Sequence, residues 1–143
     1  MTAQREYNVI IVDDSVEFTQ GLKLFMEAFP HFKVLDVVHD GTDVIDHEML
    51  HLCDIILMDV NMPLLNGIEA GRQVNFMYPD IKLVAITLNR EQVFLEELVA
   101  AGFRGFVDKQ SIVESLEEVL RTVVAQKYAF PRCMNVTKGS SSV

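Results

Sequence analysis

A doubly wound α/β domain, with a parallel sheet and helices on both faces, is predicted by three observations. Short apolar runs recur five times along the 143 residues, and each stops at a polar residue. A stretch with apolar residues at helical spacing follows every run. Gly, Pro, Asn or Asp punctuate the joints between them. Strands that alternate with helices are joined by right-handed crossovers, which makes the sheet parallel.

Val9 to Val12 is an apolar β-branched run that ends in Asp13-Asp14-Ser15. Ser15 is a helix N-cap, and Phe18, Leu22, Phe25, Met26 and Phe29 follow at helical spacing until Pro30. Lys33 to His39 is the second strand, and Asp40-Gly41 turns out of it into a less regular helix, Thr42 to Leu52. The third strand is Ile55-Ile56-Leu57-Met58, running straight into Asp59. A strand of this composition is buried on both faces. After the Met62–Gly67 loop, Ile68 to Met77 is a helix closed by Tyr78-Pro79-Asp80. Lys82 to Ile86 is the fourth strand, ending at Thr87. Arg90 to Ala101 is a helix with Gly102 as its C-cap. Arg104 to Val107 is the fifth strand, followed by Asp108-Lys109. Ser111 caps a last helix that runs to about Gln126. Five such units fit the flavodoxin-like strand order 2-1-3-4-5 with five helices. The domain is residues 1–126, and 127–143 form a tail, disordered or partly ordered, with Gly139-Ser140-Ser141-Ser142 expected to be disordered.

Half of the residues are hydrophobic and the formal net charge is −9. That balance argues against direct nucleic-acid binding, which needs a basic stripe to neutralise phosphates. Cys53 and Cys133 have neither zinc spacing nor a disulfide framework, which suggests a reducing compartment. The polar start, Met1 to Asn8, does not read as a signal peptide, and no apolar run is long enough to span a membrane. A cytoplasmic location is expected. His31, His39, His47 and His51 read as surface residues.

The chemistry lies at the strand ends. In the predicted order the first, third, fourth and fifth strands are neighbours. Their carboxyl ends bring Asp13, Asp14, Asp59, Thr87 and Lys109 into one shallow pocket. Crowded carboxylates repel unless a cation compensates, and hard oxygen ligands suit Mg²⁺. A carboxylate can attack a phosphoryl group, with catalysis supplied by positioning and charge neutralisation. Mg²⁺ and a lysine would neutralise the phosphoryl oxygens, and a hydroxyl would hydrogen-bond one of them.

These residues carry a family resemblance. Val12-Asp13-Asp14-Ser15, Met58-Asp59-Val60-Asn61-Met62-Pro63, Ala85-Ile86-Thr87 and Val107-Asp108-Lys109 resemble, in order, the pattern of bacterial response regulator receiver domains over residues 7–126. The resemblance implies that Asp59 is the phosphoacceptor, Thr87 the switch hydroxyl and Lys109 the phosphate-pairing amine. It implies Mg²⁺ held by Asp13, Asp14, Asp59 and the Asn61 carbonyl, and Phe106 as a switch aromatic. It implies a phosphorelay switch, not an enzyme in the ordinary sense. The phosphoryl group would come from a sensor histidine kinase or phosphotransfer protein. The surface of the fourth helix, fifth strand and fifth helix would pass the change to an effector protein or output domain, and a homodimer through that surface fits the family. Gly102-Phe103-Arg104-Gly105-Phe106 resembles the subclass that often carries a helix-turn-helix output, and the chain reads as a stand-alone receiver or as a fragment of a longer regulator. Leu88 replaces a usual small residue and would crowd Asp59. Gln110 replaces a common proline that follows a cis bond. The rival readings are a pseudo-receiver that only binds proteins and a haloacid-dehalogenase-like phosphatase, which needs an acid where Asn61 stands.

Overall fold

The computed structural model describes residues 5–62, 66–88, 90 and 93–131. Its strands are Tyr7–Val12 (β1), Phe32–Val38 (β2), Ile55–Asp59 (β3), Lys82–Thr87 (β4) and Phe103–Asp108 (β5). They form one parallel sheet in the order β2-β1-β3-β4-β5, as the sequence predicts. The helices are Val16–Met26 (α1), Gly41–Ile45 (α2), Gly67–Met77 (α3), Leu95–Ala101 (α4) and Ile112–Val124 (α5). No helix among the described residues is long and apolar enough to cross a membrane.

Side chains of a strand alternate between the faces of a sheet, so an apolar run covered on both sides feeds two cores. Ile56 and Met58 of β3 join one core with Val44, Val74 and Leu98 from α2, α3 and α4. Ile55 and Leu57 join the other with Leu22, Leu116 and Leu120 from α1 and α5. Met58 and Met62 both pack in the first core. The register then sets the site. Val12 pairs with Met58, Asp59 with Ile86, and Thr87 with Asp108, so the strand ends finish level.

Several elements depart from expectation. The helix expected over Thr42–Leu52 covers only Gly41–Ile45, followed by a 3₁₀ turn at Leu50–Leu52. His47 diverts the chain: its Nδ1 accepts the Met49 N–H (3.0 Å) and its Nε2 donates to Asp36 Oδ2 (2.7 Å). His47 is therefore a largely buried, paired residue and not a surface one. The helix expected from Arg90 begins at Leu95, because Phe94 has extended backbone (φ −117°, ψ 133°). The first helix stops at Met26, a turn before Pro30. Ser111 makes no side-chain cap; Asp108 caps the preceding 3₁₀ turn at Lys109–Ser111 by accepting the Gln110 N–H (2.9 Å). The Lys109–Gln110 peptide is trans. Lys127 to Pro131 follow α5, and Ala129 bridges to Gly105 of β5. The expectations for Pro63, Cys133 and Gly139–Ser142 lie outside the described residues.

Candidate functional site

Asp13 follows β1 and is fully buried. One carboxylate oxygen, Oδ1, accepts the Ser15 N–H (2.9 Å), and the other, Oδ2, meets Lys109 Nζ at 2.5 Å. Burial pushes its carboxyl above the usual carboxylate range, against the Lys109 hydrogen bond and the Ser15 N–H; the neighbouring Asp59 charge adds to the rise. Asp14, next in the chain, is exposed.

Asp59 ends β3 and is 6% exposed. Its Oδ1 accepts the Asn61 N–H (2.9 Å) and its Oδ2 lies 3.4 Å from Lys109 Nζ. Carboxylate oxygens of Asp13, Asp14 and Asp59 all lie within 4.8 Å of one another. This donor set suits a hard divalent cation: the oxygens converge, two carboxylates are buried, and one member stays open to solvent. The residues present therefore fit a metal ion. The Asn61 side chain turns elsewhere, donating from Nδ2 to Thr87 Oγ1 at 2.5 Å. Thr87 is buried at the end of β4. The predicted set Asp13, Asp14, Asp59, Asn61, Thr87 and Lys109 thus meets at one pole of the sheet. Phe106 lies deeper along β5, buried and paired in register with Ala85. Leu88 points outward, 57% exposed, and is not folded into the core.

Three supporting residues escape the sequence reading. Lys109 Nζ sits 4.2 Å from the centre of the Phe18 ring, so a residue assigned only to the core holds the cation in place. His39 Nδ1 donates to the Asp13 carbonyl (2.8 Å). Gly67 opens α3 so close to the site that a Cβ there would stand 2.1 Å from the Asp59 carbonyl oxygen. The Asn66-Gly67 pair was legible as a turn signal. Asn66 does cap α3, accepting the Glu69 N–H (2.9 Å). The close approach was not legible.

A buried carboxylate beside an ammonium, two further carboxylates and a hydroxyl can take up a phosphoryl group. Comparison with known proteins identifies the family. The family model of the response regulator receiver domain matches residues 9–121, and the chain belongs to that family. It is similar to the transcriptional regulatory protein DegU of Brevibacillus brevis, at 30% identity over 127 residues, 89% of this chain and 53% of that protein. It is also similar to the response regulator GacA of Pseudomonas aeruginosa, at 31% identity over 125 residues, 87% of this chain and 58% of that protein. The chain spans about half the length of these relatives. Among solved structures, a LuxR-family two-component response regulator from Aurantimonas sp. SI85-9A1 superposes with a TM-score of 0.80 at 23% identity, covering 87% of this chain and 89% of that one. The isolated receiver domain of RcsB from Salmonella enterica serovar Typhimurium, in its apo form, gives 0.79 at 22%, covering 89% and 94%. At such identities the two structures speak for the fold.

Proposed function

We propose that this receiver domain is a phosphorylation switch that accepts a phosphoryl group on Asp59 from a phosphohistidine donor. The convergence of Asp13, Asp14 and Asp59 with Lys109 and Thr87 carries the reading. A carboxylate oxygen of Asp59 attacks phosphorus in line. The new O–P bond forms as the P–N bond to the donor imidazole breaks, and the imidazole regains its proton from solvent. Mg²⁺ bound by Asp13, Asp14, Asp59 and the Asn61 carbonyl would supply charge neutralisation for the phosphoryl oxygens. Lys109, already 3.4 Å from Asp59, turns its ammonium from the carboxylates to the new phosphoryl group. Thr87 donates its hydroxyl to a phosphoryl oxygen and leaves the Asn61 amide to do so.

The added charge biases two packings of β4 and β5. Phe106 and the α4–β5–α5 surface carry the change to an effector protein or an output domain. The phosphodonor is a sensor histidine kinase or a phosphotransfer protein, and the chain works in the cytoplasm. It catalyses only its own modification. The haloacid-dehalogenase-like reading loses its second acid, since Asn61 holds that position and its amide is spent on Thr87.

The test is intact-mass measurement after incubation with Mg²⁺ and acetyl phosphate, wild type beside Asp59→Asn. A single phosphoryl gain in the wild type, dependent on Mg²⁺ and absent from the variant, is expected. A folded wild type that takes up nothing from acetyl phosphate or a phosphotransfer donor would overturn the switch in favour of a pseudo-receiver.

A further inference from the structure

Two kinds of partner grip Lys109. Asp13 Oδ2 lies 2.5 Å from its Nζ, and Asp59 Oδ2 lies 3.4 Å away. The centre of the Phe18 ring lies 4.2 Å from the same nitrogen. The carboxylates attract the ammonium by charge, and the ring attracts it through the negative face of its π system. Local structure makes that ring a fixed wall. Asp13 Oδ1 accepts the Ser15 N–H (2.9 Å), and Ser15 Oγ accepts the Phe18 N–H (3.2 Å). The buried carboxylate and the ring therefore stand on one capped turn at the start of α1. Phe18 also packs against the core that holds Leu22 and Leu116. The lysine side chain between these partners is 9% exposed. A long, flexible stem with a strongly hydrated head has many rotamers that reach water, so contacts must hold it inside.

The two grips respond differently to the chemistry proposed for the site. The carboxylates that hold Lys109 belong to the cluster that would hold a divalent cation, Asp13, Asp14 and Asp59. A cation bound there offsets the charge of those carboxylates and repels the ammonium. Phosphoryl transfer then consumes a carboxylate oxygen of Asp59. The ring has no net charge and offers no metal ligand, so its grip survives both events. Without it, Lys109 would be released to water just when its charge is needed. Only the fraction of molecules with the ammonium still inside would be competent.

We propose that Phe18 is a positioning residue for phosphoryl transfer, whose π face keeps the Lys109 ammonium inside the site once a cation engages the carboxylates. This role rests on the reading of Asp59 as the phosphoacceptor. It is carried by the electrons of the ring and not by its bulk. A ring that merely packed on the lysine stem would act through bulk alone, and the two are separable by experiment.

The test replaces Phe18 in the full chain with a series of increasingly fluorinated phenylalanines, which keep the shape of the ring and drain its negative face. Phe25, on the same helix and edge to face with Phe29 (5.1 Å), takes the same series as a control. The first readout needs no phosphoryl transfer. It is acylation of Lys109 by an amine-reactive ester, with and without saturating Mg²⁺, measured by peptide mass mapping against the exposed Lys23. The second is the rate of phosphoryl uptake from acetyl phosphate. In the wild type Lys109 should stay protected when Mg²⁺ is added. Along the Phe18 series its reactivity in Mg²⁺ should rise by about tenfold. The maximal uptake rate should fall by about three- to tenfold, with the acetyl phosphate concentration for half-maximal rate unchanged. Phe18→Leu, which keeps apolar bulk without a π face, should match the most fluorinated ring, and the Phe25 series should change neither readout. A wild-type Lys109 that Mg²⁺ exposes to the ester would overturn the grip, as would a Phe18 series flat in reactivity. Reactivity that follows the series while the uptake rate does not would overturn the role in transfer, and so would a Phe18→Leu protein that behaves as the wild type. A wild type that takes up no phosphoryl group would overturn the reading of Asp59 instead, and the ester would still decide whether the ring holds the lysine.

Discussion

Asp54 and Asp59 stand at opposite ends of β3, and their surroundings differ in kind. Asp54 is fully partnered. Its Oδ2 accepts the Asn8 N–H (2.8 Å), and its Oδ1 meets Arg5 (2.7 Å) with the side chain 21% exposed. Its main chain ties β1 and β4 to the same point, through the Asn8 carbonyl and the Lys82 N–H. Asp59 is more buried yet less satisfied. It shares one ammonium with Asp13 and has two other carboxylates within reach. The first carboxylate stabilises the start of the sheet. The second belongs to a cluster whose like charges work against the fold, and in the proposed switch a cation or a phosphoryl group would offset them. A strand-end aspartate is read as structural or functional from the balance of its partners, and not from the strand that presents it.

The largest way to break this contrast acts through Gly67. Placing a Cβ 2.1 Å from the Asp59 carbonyl must push α3 off the strand end. Gly67→Ala should lower stability by about 3 kcal/mol in denaturant unfolding. It should also slow phosphoryl uptake, since the acceptor's backbone moves.

The next test sets the two poles against each other by sign. Asp54→Asn weakens charge-assisted bonds and should cost about 1–2 kcal/mol. Asp13→Asn should do the opposite in metal-free buffer near pH 7. Burial raises the Asp13 carboxyl, so the fold favours its neutral form, and a neutral amide should gain about 1 kcal/mol. Thermal melts of both variants decide it. Adding Mg²⁺ sharpens the result. At tenfold excess over Kd it should stabilise the wild type and Asp54→Asn by about 1.4 kcal/mol, and Asp13→Asn by much less.

The smallest effect concerns a pair at neither pole. The His47 hydrogen bond holds the Asp36 carboxyl below its ordinary value. A carboxyl lowered in the fold adds stability above its unfolded pKa and loses it as pH falls through the folded value. Asp36 is partly exposed, so solvent screening leaves only about a few tenths of a kcal/mol. Asp36→Asn should therefore flatten the acid limb of stability against pH below about 4, and change little at pH 7.

Much of this was legible from the chain itself. The strands were, because Ile55–Met58 and its counterparts are apolar on both faces and end in polar residues. The pole was legible for the same reason: a parallel order makes residues far apart in sequence neighbours at the strand ends. The short second helix was not, since it ends where His47 bonds to Asp36 and to Met49, a tertiary arrangement without a periodic signal. Phe18 over Lys109 was hidden because a ring in an apolar stripe looks the same whether it packs on leucine or on an ammonium. The bridge between Ala129 and Gly105 was hidden because a single paired residue is too short for alternation to register.

The central claim is that Asp59, and no other carboxylate, is the acceptor. The direct measurement is to phosphorylate with acetyl phosphate and Mg²⁺, reduce the acyl phosphate with borohydride, and locate the resulting homoserine by peptide mass mapping. Conversion at Asp59 alone, with Asp13, Asp14 and Asp54 intact, is the predicted result. Conversion at any of those three, or phosphoryl uptake with no acyl phosphate to reduce, would contradict it.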